Sequence, residues 1–227
     1  MTYDFDFAAV LAYWPLLLEG TWTTLRLTFF CTVFGILIGA VCAIIRTSGP
    51  GWARWLIGMY VEFIRNTPLL IQAYFLIFGI ASMGFRLPIM AGAVIALTVN
   101  IGAYTTEIVR AGIESINRGQ LEAAECLGLS RLQTYVHVII RPALERVYPA
   151  LSSQYVLMML ASSILSSVGV EELFGISNRV QSDTYRNFEV FVVLGVLYLI
   201  LAVVVRAGFS LLGLVLFPRR RKLGTSL

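Results

Sequence analysis

The sequence predicts an all-α polytopic membrane protein with five transmembrane helices. Of its 227 residues, 58% are hydrophobic and only 13% are charged, whereas soluble domains carry about 25% charged residues. Long apolar runs favour helices over the alternating pattern of membrane strands. Five windows reach, or nearly reach, the roughly 20 residues that a ~30 Å hydrocarbon core requires: Leu27–Ile45, Asn66–Phe85, Leu87–Thr106, Val147–Val170 and Val190–Phe217.

The basic residues predict the orientation. Eleven Lys and Arg lie in 46–54, 110–146 and 219–222, and three lie on the opposite side, at Arg86, Arg179 and Arg186. Arg26, Arg65 and Arg206 fall in or beside spans and stay unassigned. The positive-inside rule then places the N-terminus outside and the C-terminus inside. The net charge of +4 reflects this bias and gives no reason to expect nucleic acid as a partner.

This orientation divides the chain into three parts. Residues 1–20 are predicted to be an extracytoplasmic segment, 21–217 a transmembrane domain with a cytoplasmic loop at about 107–146, and 218–227 a cytoplasmic basic tail. Because five helices are few to enclose a polar pathway, we expect a dimer with a like chain.

The sequence contains no motif for nucleotide hydrolysis or for a catalytic metal. A P-loop needs Lys beside Ser or Thr, but the single lysine, Lys222, precedes Leu223. One His and three Cys without a CxxC pattern make a metal site unexpected. We therefore predict no catalytic residue, no metal and no cofactor bound by this chain.

The predicted cytoplasmic loop is longer than a connection requires. Leu121–Leu127 is expected to form a short helix with Leu121, Ala124 and Leu127 on one side, ended by Gly128 in a left-handed cap. Ser130 is the expected N-cap of a second, amphipathic helix that Pro142 breaks or kinks. By pattern alone, this hairpin could also rest on lipid headgroups. The apolar stripe of the second helix consists of Leu132, Tyr135, Val136, Ile139, Ile140 and Ala143.

Within this loop, Glu122, Ala123, Ala124 and Gly128 have the spacing of the EAA loop, and the stretch resembles that of bacterial ABC importer permeases. Two more stretches are similar to the signature sequences of the permease subgroup that carries polar amino acids and opines. These are EFIRNTPLLIQ, which contains Glu62, Arg65, Asn66, Thr67 and Pro68, and AYTTEIVRAGIESINRGQLEAAECLG over Ala103–Gly128.

The resemblance implies a type I importer permease fold in a bacterial plasma (inner) membrane. It implies two ABC ATPase subunits that bind ATP and Mg, a second permease subunit of the same or a homologous kind, and an extracytoplasmic solute-binding protein. The short loop helix would be the coupling helix that docks in a groove of the ATPase, with docking residues Glu122, Ala123, Ala124, Glu125, Leu127 and Gly128.

The sequence departs from the family pattern at two places. Pro142 comes one residue later than expected, which predicts a second loop helix that is one residue longer or locally overwound. Leu160 and Ala161 stand before Ser162 and Ser163, where many members carry a charged pair. We therefore expect a neutral wall there, with any charge recognition left to the partner subunit or the binding protein.

Polar groups at membrane depth are candidate pathway residues because they are costly in hydrocarbon. Asn100, Glu107, Ser162 and Ser163 are such candidates, and Leu160 and Ala161 are added because they stand where many family members carry the charged pair. Structural roles are equally open: an interhelical hydrogen bond for Asn100, ion pairs for Glu107 with Arg110 and for Glu62 with Arg65, and close packing for the serines. Gly35 and Gly39 form a GxxxG pattern, which we interpret as helix packing.

We conclude from the sequence that the chain is a permease subunit of an ATP-driven importer for amino acids or similar small polar solutes. It would couple ATP hydrolysis by a partner to alternating access. Two alternatives are a membrane scaffold that transmits a signal with an ATPase, and an ion-driven secondary transporter. The second of these predicts midplane acids in broken helices, and the sequence has no clear acid at that depth.

Overall fold

The described part of the protein consists of helices with short connections. A computed structural model describes residues 4–218, and the predicted all-α class is confirmed. The basic segment 219–222 lies outside the described residues. In chain order the helices are α1 (Phe7–Leu11), α2 (Trp14–Ser48), α3 (Gly51–Arg65), α4 (Leu69–Ser82), α5 (Ile89–Glu114), α6 (Arg118–Cys126), α7 (Arg131–Val168), α8 (Leu173–Thr184) and α9 (Asn187–Leu216).

Four of these helices are long and apolar enough to cross a membrane. They are α2, α5, α7 and α9, with 35, 26, 38 and 30 residues. Helices α3 and α4 meet at a bend of 106° and provide a fifth span if the pair is taken as one. The prediction of a single apolar helix over Asn66–Phe85 was wrong, because α4 begins only at Leu69 and covers about 21 Å at 1.5 Å per residue.

The bend between α3 and α4 is encoded by three consecutive residues. Asn66 ends α3, and its side-chain amide donates to the Glu62 carbonyl at 2.8 Å and to the Glu62 carboxylate at 3.0 Å. Pro68 disfavours helical backbone at Thr67 and is itself the N-cap of α4. The Gln72 amide then donates to the Thr67 hydroxyl at 2.8 Å. The apolar composition of the window concealed this break.

Two other boundaries differ from the prediction. Helix α2 begins at Trp14 instead of Leu27, so the expected N-terminal segment 1–20 contains α1 and the first turns of α2. Helix α7 continues through Pro142, where we expected a break or kink. A π-helical stretch, Thr134–Ile140, directly precedes that position. Because i→i+5 bonding absorbs an extra residue into a turn, the late proline is accommodated by a wider helix and not by an overwound one.

The first of two compact units consists of the described parts of Met1–Val33, Thr67–Thr98 and Tyr155–Ala207. Its core is a cluster of buried apolar side chains from α1, α2, α7, α8 and α9, among them Val10, Leu17, Met159, Leu173 and Leu194. A Cβ at Gly20 would lie 3.0 Å from the Leu173 backbone, so α2 and α8 approach closely at this glycine.

The second unit consists of Phe34–Asn66, Val99–Gln154 and the described part of Gly208–Leu227. Here the predicted GxxxG packing is confirmed. A Cβ on Gly35 would overlap the Ile101 side chain, and one on Gly39 would overlap the Thr105 side chain. The Tyr60 hydroxyl donates to the Val99 carbonyl at 2.7 Å and attaches α3 to α5.

Candidate coupling and pathway sites

Helix α6 is defined by capping residues at both ends. The Asn117 side chain accepts a hydrogen bond from the Gly119 amide at 2.9 Å, so the helix begins at Arg118, three residues before the predicted start. At the other end, Gly128 has φ +67°, and the amides of Gly128 and Leu129 donate to the carbonyls of Glu125 and Ala124. This is a Schellman motif, and it confirms the predicted glycine cap.

The surface of α6 is largely exposed. Ala124 is buried, whereas Glu122, Ala123 and Glu125 are exposed. Leu127, which was expected on the same side as Leu121 and Ala124 and among the docking residues, is 79% exposed at the C-cap. Of the three side chains expected on one side, Ala124 is buried, Leu121 is partly buried and Leu127 stays uncovered.

The start of α7 adds to this exposed surface. Ser130 is the N-cap as predicted, and it forms a capping box with Gln133. Leu132 is 73% exposed and Val136 is 43% exposed, whereas Ala143 is buried. The predicted stripe is therefore divided, because the π-helical turns rotate its later members away from the positions that α-helical spacing gives.

A pair of hydrogen bonds fixes the segment before α6. One nitrogen of the Arg146 guanidinium, on α7, donates to the carbonyl oxygen and to the hydroxyl of Ser115, both at 2.7 Å. Ser115 directly follows α5 and stands two residues before the Asn117 cap. The start of the exposed helix is thus held to two long helices at once.

Glu107 on α5 is the centre of an arginine cluster. Its carboxylate accepts from Arg110 at 2.8 and 3.2 Å, and it lies 3.8 Å from Arg46 on α2 and 3.8 Å from Arg65 on α3. Arg110 also pairs with Glu114 at 2.5 Å. The intrahelical pair of Glu107 with Arg110 is confirmed, and the other two contacts join three helices.

An ion pair of Arg65 with Glu62, which the sequence left open as a structural role, does not form. Its guanidinium reaches Glu107 and lies 5.5 Å from the centre of the Tyr104 ring. Glu62 instead accepts from Asn66 as part of the turn that ends α3. Sequence separation made the neighbour at i+3 a candidate partner, but the packing of α3 beside α5 brings Glu107 and Tyr104 to Arg65 instead.

The remaining pathway candidates lie in separate units. Asn100 is buried in the second unit. In the first unit, α7 ends in a 3₁₀ segment, Ser162–Val168. Ser162 is fully buried, Ala161 and Ser163 are partly exposed, and Leu160 is exposed. The hydroxyls of Ser162 and Ser163 donate to the carbonyls of Met159 and Leu160 at 2.6 and 2.8 Å. Their oxygens remain available only as acceptors.

One buried polar network was missed by the sequence analysis. Glu172, fully buried at the start of α8, accepts from the Tyr198 hydroxyl at 2.7 Å, from Thr24 at 3.3 Å and from the Gly175 amide at 2.9 Å. The Leu173 amide in turn donates to Thr24. An acid three residues before Gly175 is a cap signal that could have located Glu172, but nothing in the sequence indicated its partners on α2 and α9.

Comparison with known proteins identifies the fold and the family. Residues 35–220 match the family described as binding-protein-dependent transport system inner membrane component. The chain is 33% identical over 226 residues to the octopine transport system permease protein OccM of Rhizobium radiobacter, covering 96% of this chain and 92% of that protein. It is 34% identical over 203 residues to the glutamine transport system permease protein GlnP of Escherichia coli K12, covering 88% and 93%.

Solved structures agree with this fold. The crystal structure of an amino acid ABC transporter with histidines matches with a TM-score of 0.86 and 33% identity, over 93% of this chain and 99% of that one. The MetNI methionine ABC transporter matches with a TM-score of 0.74 at 20% identity, over 90% and 98%, which supports the fold alone. In this family the ATPase is a separate subunit, and a binding protein is a further partner. The chain therefore belongs to the binding-protein-dependent transport system inner membrane components and is a permease subunit of an ATP-driven importer, without enzymatic activity of its own.

Proposed function

We propose that α6 is the coupling helix and that Glu122, Ala123, Ala124, Glu125, Leu127 and Gly128 form its contact with the ATPase. The observation that carries this proposal is a capped helix whose terminal Leu127 is 79% exposed, followed by Leu132 at 73%. Helix-in-groove recognition uses such apolar anchors together with small residues that permit close approach. The ATP and Mg belong to that partner.

The connection from α6 to the spans supports a mechanical role. A helix that is pushed or pulled by a partner transmits motion only if its ends are fixed. Arg146 holds Ser115, two residues before the Asn117 cap, and the Glu107 cluster joins α5 to α2 and α3 within the same unit. Displacement of α6 would therefore move several helices together and bias an inward-open to outward-open equilibrium.

Charge reversal on α6 tests the docking. Glu122→Arg should reduce both capture of the ATPase and ATP-dependent uptake, because it replaces an exposed carboxylate at the contact by a cation. Glu19→Arg is the matched control, since Glu19 is also an exposed carboxylate of a helix but lies on the opposite side in the predicted topology. Normal ATPase capture and uptake in Glu122→Arg would contradict the assignment.

For the solute, we propose an amino acid or a related small polar molecule. The support is the function for which relatives are named, which include octopine and nopaline transport proteins from Rhizobium and Agrobacterium and a glutamine transport protein from Escherichia coli. Asn100, Glu107, Leu160, Ala161, Ser162 and Ser163 remain the candidates for the pathway. Of the four in the first unit, Ser162 is the least suited because it is fully buried.

The neutral wall at Leu160 and Ala161 is testable through solute preference. A full charge at membrane depth costs about 2.5–3.5 kcal/mol, so an acid placed beside the pathway should favour cationic solutes. Ala161→Asp is expected to raise uptake of cationic relative to neutral amino acids, with Ala161→Ser as the uncharged control. If the Ala161→Asp variant reaches the membrane with unchanged preference, this position does not line the pathway.

The assembly we propose contains two ATPase subunits, a second permease subunit of the same or a homologous kind and an extracytoplasmic binding protein. Its support is the family membership together with the small number of spans in one chain. Purification of the complex and mass determination in detergent would test the number of permease chains. Vesicle uptake that needs both ATP and the binding protein would separate this function from an ion-driven transporter, and uptake itself would separate it from a signalling scaffold.

A further inference from the structure

Arg26 is an exposed cation on the membrane helix α2, and the proposed function assigns it no role. No charged residue occurs between Arg26 and Arg46, and 20 residues of helix extend about 30 Å, which is the thickness of one hydrocarbon core. Since Arg46 lies in the Glu107 cluster at one end of this interval, Arg26 is expected near the opposite boundary of the membrane.

The side chain of Arg26 stands between two hollows of the first unit. A cavity of about 460 Å³ is lined by Trp22, Leu25, Arg26, Phe29 and Phe30. A smaller one of about 190 Å³ shares Arg26 and Phe30 and adds residues such as Met90 and Val94 from α5. The walls are therefore apolar and aromatic around a single positive charge.

This charge has no anion within the chain. Through residues 4–218, the Arg26 side chain takes part in no ion pair or hydrogen bond, unlike Arg46 at the other end of the same span. A cation beside hydrocarbon needs an anion or water. The missing partner must come from outside the described chain.

We propose that Arg26 and the aromatic residues around it bind the phosphate of an anionic phospholipid. A guanidinium offers paired donors that match phosphate oxygens. Trp22, which is 60% exposed, has the amphipathic character of residues at the headgroup level, and the exposed rings of Phe29 and Phe30 lie on the hydrocarbon side for acyl chains. No acidic residue lines either hollow. The nearest acid along α2 is Glu19, two helical turns and about 10 Å from Arg26. The ammonium group of a zwitterionic headgroup therefore has no partner within the hollows, and a headgroup with net negative charge is preferred.

Lipid binding can be measured without transport. The permease, purified with its ATPase, is delipidated and titrated with phosphatidylglycerol or phosphatidylethanolamine while bound lipid is counted by native mass spectrometry. We expect the wild type to retain phosphatidylglycerol in preference to phosphatidylethanolamine. Arg26→Gln should weaken phosphatidylglycerol binding about tenfold or more, and Phe30→Ala should weaken it to a lesser degree. Inorganic phosphate at millimolar concentration should not displace the lipid, because it lacks the acyl chains.

The matched control is Arg206→Gln, which removes another exposed arginine from a membrane helix. Equal loss in the Arg206 and Arg26 variants would indicate general attraction and overturn the site. Equal retention of the two lipids by the wild type would overturn it without any variant. If Arg26→Gln instead separated the permease chains while lipid binding stayed unchanged, the anion would be a carboxylate of the partner subunit and the lipid proposal would be wrong.

Discussion

Removal of the Glu107 charge is the sharpest test of the arginine cluster. Glu107→Gln keeps the size and one oxygen acceptor but eliminates the charge that three arginines approach. The side chain is 17% exposed, and it makes two-point contact with Arg110 at 2.8 and 3.2 Å. Charge-assisted hydrogen bonds of this kind contribute roughly 1.5–3 kcal/mol.

The contacts of Glu107 with the other two arginines contribute less to the free energy of unfolding. Arg46 and Arg65 lie 3.8 Å away with side chains 23% and 40% exposed, so each contributes about 0.2–1 kcal/mol. Because glutamine still accepts one hydrogen bond, we expect a net loss of about 2 kcal/mol. On the scale for domains of this length, that lowers the melting temperature by ~4–8 °C, measured on the purified complex in detergent.

The control uses the neighbouring acid. Glu114 contacts Arg110 but is 56% exposed, so Glu114→Gln should cost less than about 1 kcal/mol. Equal melting temperatures for the two variants would refute the idea that Glu107 joins the helices. Transport adds a second criterion: a junction variant should slow uptake of all solutes alike, whereas an altered preference among solutes would place Glu107 in the pathway.

Three further predictions concern local structure and topology. Gly128→Ala should destabilise the end of α6 by about 1–2 kcal/mol and reduce uptake, because φ is +67° and alanine disfavours left-handed backbone. Gly128→Asn should be tolerated, because asparagine adopts this conformation and no atom crowds the position. Equal uptake by both variants would argue against backbone strain. Single cysteines at Gln120 and Tyr185, both exposed, should react with an impermeant thiol reagent from opposite sides of the membrane, and labelling from one side would refute the predicted orientation. Tyr198→Phe should cost roughly 1–3 kcal/mol in thermal unfolding because Glu172 stays buried without this donor, and an unchanged melting temperature would mean that water replaces the hydroxyl.

The sequence by itself determined the class, the family and the signals that act locally. Apolar runs long enough for a bilayer, the Gly128 cap and the Ser130 cap were all readable, because each depends on the chemistry of a few consecutive residues. The spacing of Gly35 and Gly39 likewise predicted close packing, since a missing Cβ has a direct steric meaning.

Only the tertiary structure decided which side chains interact and where the helices break. Arg65 forms an ion pair with Glu107 and not with Glu62, and Glu172 accepts hydrogen bonds from Tyr198 and Thr24. Such partners cannot be read from the sequence, because side chains distant in sequence meet only after the helices pack. The bend at Asn66–Pro68 was hidden because hydropathy averages over a window and does not register a capping amide. The π-helical turns before Pro142 were equally inaccessible, since helix register depends on what surrounds a residue and not on its type alone.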